Sequence, residues 1–276
     1  MKSLIKKVIN QAVRINWMWN SLSKTIIPLA YYAQIAKLQG EKRKTIPVSP
    51  NPVFEGTAVM HGVFAGMKYP EMASIGSVLL PKLLGSYEKE IQPLLKTICD
   101  NQYSEIVDIG CAEGYYAVGL AMRIKTAKIF AFDTNVEAIR LCEAMAELNN
   151  VSERITTGSF CDAKTLISLP LTERALIVSD CEGYEKELFS KDTVAFLTQH
   201  ELLIEVHDFM DIEISSYLRE LFELTHNIEV YSSIDDIKKA QQYEYKELEG
   251  LSLEVKKQIL REGRPTIMEW FYMKPR

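Results

Sequence analysis

The 276-residue sequence predicts an α/β protein built on a mostly parallel sheet with helices on both faces. Three observations predict this. Short apolar runs near 105–109, 128–132, 153–157, 175–180 and 201–207 alternate with helical stretches, and strands alternating with helices make a parallel sheet covered on both sides. The first run ends in an acid that opens at once into glycines, Val107-Asp108-Ile109-Gly110-Cys111-Ala112-Glu113-Gly114-Tyr115-Tyr116. The second run, Lys128 to Phe132, ends in another acid, Asp133, placed 19 residues after Gly114.

Taken in chain order, residues 1–50 read as a basic helical leader with Trp17, Trp19 and a break at Pro28. Residues 51–84 read as a linker and pre-core segment, in which His61 to Tyr69 alternates apolar and small residues as a strand or loop. The domain proper spans 85–276. It opens with a helix over Tyr87 to Cys99 and continues through the five strands above. After the second run, Thr134-Asn135 leads into a helical apolar pattern through Ala138, Ile139, Leu141, Cys142, Met145 and Leu148. The end changes character: a strand near Ile228 to Tyr231, a long charged helical insert from Asp235 to Glu262, and a last strand from Thr266 to Tyr272.

The glycine loop and the second acid predict a site for S-adenosylmethionine. Positions without Cβ let backbone approach a ligand, and the helix that follows presents unpaired N–H groups. A dinucleotide site needs Gly-x-Gly-x-x-Gly, and here Ala112 and Tyr115 stand at the second and third glycine positions. Asp108 would repel a pyrophosphate but suits the cofactor's ammonium group. An acid about 20 residues past the loop accepts both ribose hydroxyls, the role expected of Asp133; the alternative is a helix cap. For adenine the candidates follow the third strand, Ser159, Phe160 and Asp162, with Asp162 equally placed to cap the next helix.

Charge and cysteines bound the rest. The net charge of −5 divides into +8 over residues 1–50, where nine Lys/Arg face Glu41 alone, and −13 over the remainder. The acidic body speaks against nucleic acid as a partner. The leader suits either weak, salt-sensitive contact with an anionic membrane surface through residues 1–45, or packing on this protein or a second copy in a homo-oligomer. Polar residues interrupt its apolar run, which speaks against secretion. Five cysteines with no C-x-x-C pair indicate neither a disulfide framework nor a structural metal, and fit a reduced, cytoplasmic setting, with peripheral membrane contact the variant of it.

Ligands of open α/β sheets bind beyond the carboxyl ends of the strands. The fourth strand ends in Asp180-Cys181-Glu182-Gly183, and the fifth, Leu202 to Asp208, carries Glu205 and His207. Glu205 lies inside an apolar run, so it must be neutral, hydrogen-bonded or paired. Should these strands be neighbours, Asp180, Glu182, Glu205 and His207 converge. His207 would then act as a general base toward a hydroxyl, with Glu205 or Asp180 orienting it. The structural alternative pairs Glu205 with a buried Arg or Lys and leaves His207 at a strand end. A divalent ion on the same groups would acidify a hydroxyl, but no tight ligand motif is present and no metal residue is assigned.

Three segments, Asp108-Ile-Gly-Cys-Ala-Glu-Gly-Tyr-Tyr-Ala, Asp180-Cys-Glu-Gly-Tyr-Glu185 and Leu203-Ile-Glu-Val-His207, together resemble the FkbM-type class I S-adenosylmethionine-dependent methyltransferases, with Gly85-Ser-Tyr87-Glu88 adding to the likeness. The resemblance covers about residues 85–210. It implies a Rossmann-like methyltransferase fold with a seven-stranded sheet, and O-methylation of a hydroxyl on a sugar or other small or glycan-type acceptor. From another class, the chain could be a non-catalytic module that retains the fold for binding or assembly.

Overall fold

The computed structural model describes residues 53–276 other than positions 55 and 173. The readings made for the leader, its membrane contact included, lie outside the described residues. A compact unit begins at Pro52 and runs to Arg276.

Seven strands form one sheet in the order β3-β2-β1-β4-β5-β7-β6. They are β1 (Glu105–Ile109), β2 (Lys128–Phe132), β3 (Ile155–Gly158), β4 (Ala175–Ser179), β5 (Glu201–Val206), β6 (His226–Ser232) and β7 (Glu269–Pro275). Neighbours among β1 to β5 run parallel, and β7 is antiparallel to both β5 and β6. This is the Rossmann-like methyltransferase fold. Strands β1, β4 and β5 are buried along their whole length, as strands covered on both faces must be, which explains why they read as largely apolar runs. The strand order reverses between β1 and β4, where the loops leave in opposite directions and open a crevice at the carboxyl edge.

Three elements differ from expectation. The helix foreseen over Tyr87 to Cys99 is a 3-10 turn, Lys89–Ile91, followed by the helix Gln92–Asp100, because Glu88 takes a left-handed conformation and Pro93 occupies the first helical turn. The insert is two helices, Asp236–Gln242 and Leu253–Leu260, rather than one. Asp235 and Ser252 each cap a helix with their side chains, and Gly250 at φ +75° turns the chain between them.

The third difference is residues 53–84, foreseen in part as a linker. They belong to the core: Val59, Phe64, Met67 and Tyr69 are buried in the cluster that contains Tyr115, Tyr116 and Trp270. The ring of Phe64 meets Tyr115 edge-on at 5.2 Å and lies over Gly119, where a Cβ would come within 2.7 Å of it. Four such side chains, at about 1.5–3 kcal/mol each, fasten this segment to the face of the sheet that carries the helix Tyr115–Arg123. Among the described residues, the foreseen strand region pairs through an isolated bridge between Ala58 and Lys68. No helix among the described residues is long and apolar enough to cross a membrane.

Candidate active site

The glycine loop sits where the sheet order reverses. Gly110, Ala112 and Gly114 have φ of +85°, +48° and +94°, so the chain turns tightly between β1 and the helix Tyr115–Arg123, with Gly114 as its N-cap. The two glycines answer to the protein's own neighbours as much as to any ligand. A Cβ on Gly110 would stand 1.8 Å from the carbonyl oxygen of Asp180, and one on Gly114 would stand 2.8 Å from Cys142 Sγ. The loop after β1 and the loop after β4 are thus in backbone contact, also tied by the Asp180 N–H donating to the Ile109 carbonyl at 2.9 Å.

Asp133 fastens the same loop. Its Oδ2 accepts from the Ala112 N–H at 2.9 Å and its Oδ1 from the Asn135 N–H at 2.8 Å. The cap of the helix Val136–Leu148 is Asn135, not Asp133. Each oxygen of Asp133 keeps a second lone pair for a ribose hydroxyl. Asp162 does cap a helix: it accepts from the Thr165 N–H at 2.8 Å, which holds its carboxyl below the usual range. Ser159 is exposed beside it, and the half-exposed ring of Phe160 leans on Tyr184 at 5.5 Å.

Asp108 is only 1% exposed, deeper than a ligand-facing tip, and its Oδ2 has no hydrogen-bond partner. Burial raises its pKa to about 8, with Asp180 and Asp133 adding to the rise against the Ala117 N–H. An orphaned buried carboxyl oxygen beneath the loop fits a cationic ligand group. It also has a cost that follows pH. The unfolded carboxyl ionises near pH 4 and the folded one near 8, so stability falls as pH rises through that window. Asp108→Asn removes the dependence, and its melting temperature relative to wild type is expected to climb between about pH 5 and about pH 8. A flat difference in scanning calorimetry would refute the assignment.

Glu113 was not foreseen as a functional residue. Buried in the loop, it accepts from Lys82 Nζ at 2.6 Å, from Ser74 Oγ at 2.9 Å and from the Ile75 N–H at 3.0 Å, clasping the 74–82 segment over the loop.

Strands β4 and β5 are neighbours in parallel register, Ser179 opposite Ile204, and this brings the four expected residues together. His207 Nε2 lies 3.3 Å from Asp180 Oδ1, 3.8 Å from Glu182 Oε2 and 3.9 Å from Glu205 Oε2. Its Nδ1 bonds Glu185 Oε1, a fully buried carboxylate from the start of the helix Glu185–Leu188. Glu185 was unforeseen, although it stands in the Asp180 to Glu185 segment already singled out. Burial alone would depress the imidazole, but Asp180 and Glu185 outweigh it and raise the pKa to about 11. This arrangement favours the protonated imidazole, which speaks against the general-base role expected of His207. Asp180 titrates low despite its burial, because His207 stabilises the carboxylate.

Glu205 is paired, as its place in an apolar strand demanded. Its Oε1 bonds Arg264 Nη1, while Arg264 Nη2 bonds Glu88 and its Nε meets Glu262 at 2.9 Å. The Tyr116 hydroxyl donates to the other oxygen of Glu88. Burial raises Glu88 to about pKa 7 against the pull of Arg264, and raises Glu205 as well, with Asp180 its strongest charged neighbour in that direction. Arg264 comes from the loop after the insert, which sequence periodicity had no means of placing beside β5.

The family model of the methyltransferase small domain matches residues 88–167, the stretch that carries β1 to β3 and the glycine loop. No curated protein matches the chain. Among solved structures it is similar to a precorrin 8w decarboxylase from Methanobacterium thermoautotrophicum, with 15% identity, a TM-score of 0.45, and coverage of 66% of this chain and 88% of that one. A precorrin-6y C5,15-methyltransferase from Geobacter metallireducens gives 13%, 0.45, 66% and 87%. A methyltransferase from Geobacter sulfurreducens in complex with S-adenosylhomocysteine gives 16%, 0.43, 68% and 91%. Likenesses at this level carry no information on substrate.

Proposed function

We propose that the chain is an S-adenosylmethionine-dependent O-methyltransferase of FkbM type, acting on a hydroxyl of a sugar or another small or glycan-type acceptor. The observation that carries this reading is the backbone contact of Asp180 with Gly110, which sets the Asp180, Glu205 and His207 cluster directly against the cofactor loop. S-adenosylmethionine is the cofactor, in keeping with the family model over the loop and with a site whose buried acid, Asp108, keeps one carboxyl oxygen without a partner. Asp108 lies below the methionine end, Asp133 receives the ribose, and Ser159, Phe160 and Asp162 border the adenine.

Bound there, the cofactor supplies an electrophilic methyl on a sulfonium. The chain's own task is to hold the acceptor oxygen in line and to take its proton. Asp180 Oδ1 is buried and without a hydrogen bond, and in this reading the Asp180 carboxylate is the proton acceptor. His207, held by Glu185, and Glu205, held by Arg264, keep that carboxylate in place. As the carbon–oxygen bond forms and the carbon–sulfur bond breaks, the hydroxyl proton passes to Asp180. The five cysteines are free thiols, which suits the cytoplasmic location proposed here, and the acidic body disfavours a nucleic-acid acceptor.

Calorimetry with S-adenosylhomocysteine tests the reading. Wild type is expected to bind, and Asp133→Ala to weaken binding roughly 10–100-fold, since each charge-assisted hydrogen bond is worth about 1.5–3 kcal/mol. Absent binding by wild type, or undiminished binding by the variant, favours the non-catalytic module.

A further inference from the structure

We propose that Asp180, Glu205 and His207 form a binding site for a divalent cation of the magnesium or manganese class. The inference rests on the methyl-transfer reading for its purpose, a cation that polarises the acceptor hydroxyl, but not for its geometry or its test.

Each residue offers one ligand atom, and the three atoms lie within 4.8 Å of one another. Ligand atoms about 2.1 Å from a shared ion stand about 3–4 Å apart. His207 Nε2 meets Asp180 Oδ1 at 3.3 Å and Glu205 Oε2 at 3.9 Å, in that range. Glu182 Oε2, 3.8 Å from the same nitrogen on the exposed side, is within reach as a fourth donor or through a water.

Two further observations point to a ligand rather than to a chance meeting of acids. The first is the way the donors are held. His207 is 2% exposed and turns Nδ1 to the buried Glu185, which presents Nε2 to the cluster. A carboxylate behind a histidine is the arrangement that orients metal-binding imidazoles. Glu205 is likewise held from behind, since Arg264 takes Oε1 and leaves Oε2 turned to the cluster. The second is Asp180 Oδ1, a buried oxygen with no hydrogen bond, at ion-pair distance from Nε2 but misaligned for one. Around His207 stand Asp180, Glu182, Glu185 and Glu205. The neighbouring guanidinium is shared with Glu88 and Glu262, the latter also paired with Lys239, and an ion that displaces the proton of His207 Nε2 would supply positive charge to the carboxylates around it.

With the ion in place, the acceptor hydroxyl approaches it beside Asp180. The oxygen becomes more acidic, and its proton would pass to the second oxygen of the Asp180 carboxylate, Oδ2, as the new carbon–oxygen bond forms and the carbon–sulfur bond breaks. Carboxylate-rich donor sets suit magnesium and manganese, and a single imidazole is compatible with manganese.

The probe is manganese(II), followed by electron paramagnetic resonance on the full chain, with S-adenosylhomocysteine calorimetry on the same samples. Saturable binding of one ion per chain is expected. Asp180→Asn and Glu205→Gln are each expected to weaken it more than tenfold, and Glu185→Gln, a positioning residue, by 10–100-fold. Circular dichroism identifies variants that fold, and Asp180→Asn, with a side chain 28% exposed and outside the Arg264 ion pairs, is the variant that decides if Glu205→Gln unfolds. No saturable manganese binding by a wild type that binds S-adenosylhomocysteine overturns the cation site and leaves the transfer reading standing. Manganese binding lost in Asp180→Asn without S-adenosylhomocysteine binding supports the site and removes the transfer reading. Manganese affinity unchanged in a folded Asp180→Asn overturns the site.

Discussion

Arg264→Met is expected to destabilise the domain by about 3–5 kcal/mol, the cost of removing one partner from a buried ion pair. The guanidinium is 14% exposed and serves Glu88, Glu205 and Glu262 at once. Methionine fills much of the volume but leaves Glu88 and Glu205 without the guanidinium, while Glu262 keeps Lys239 at 2.5 Å. Part of the loss is absorbed by protonation of Glu88 and Glu205, which burial already pushes upward, so the penalty is smaller at low pH and grows as pH rises. At about 2–4 °C per kcal/mol for domains of this size, the melting temperature should fall by roughly 10 °C near neutrality. Adding Glu205→Gln to Arg264→Met should recover part of it, because one buried charge no longer needs a partner. A fall below about 1 kcal/mol, or no recovery in the double variant, would mean that the network is not energetically coupled as its geometry indicates.

The other large effect is expected from Gly110→Ala. Two penalties coincide there. A left-handed conformation costs a residue with a Cβ about 1–2 kcal/mol. In addition the new methyl would stand 1.8 Å from the Asp180 carbonyl, a backbone atom that cannot swing aside. The loops after β1 and β4 must separate, so stability should fall by more than the backbone term alone. Cofactor affinity should fall with it, because Asp180, Ala112 and Asp133 are all tied to this contact. Gly66→Ala is the matched control: its φ is +89°, yet nothing lies within 4 Å of a Cβ there. Equal losses in the two variants, measured by chemical denaturation, would show that conformation alone explains Gly110 and that the two loops are not in firm contact.

The chain's own pattern determined the parallel sheet and its carboxyl-edge acids. Strands buried on both faces read as apolar runs, and an acid within or just after such a run is visible without any coordinates; β1, β4 and β5 are buried along their whole lengths, with Asp108 in β1, Glu205 in β5 and Asp180 just after β4. The need of Glu205 for a partner was equally legible, since an apolar strand cannot carry an unpaired carboxylate. What that partner is was decided only by the tertiary structure. Arg264 is 59 residues away, in a loop without periodicity, and β7 had to insert antiparallel beside β5 before that loop could reach the cluster. The same holds for the charge on His207. Its sequence neighbours suggest a free base, whereas Asp180, just after β4, and Glu185, in the helix that follows, favour the protonated imidazole. Local periodicity records which face of an element is buried. Which charges meet across elements depends on strand order and loop crossing, and these arise from long-range packing that no short window of sequence contains.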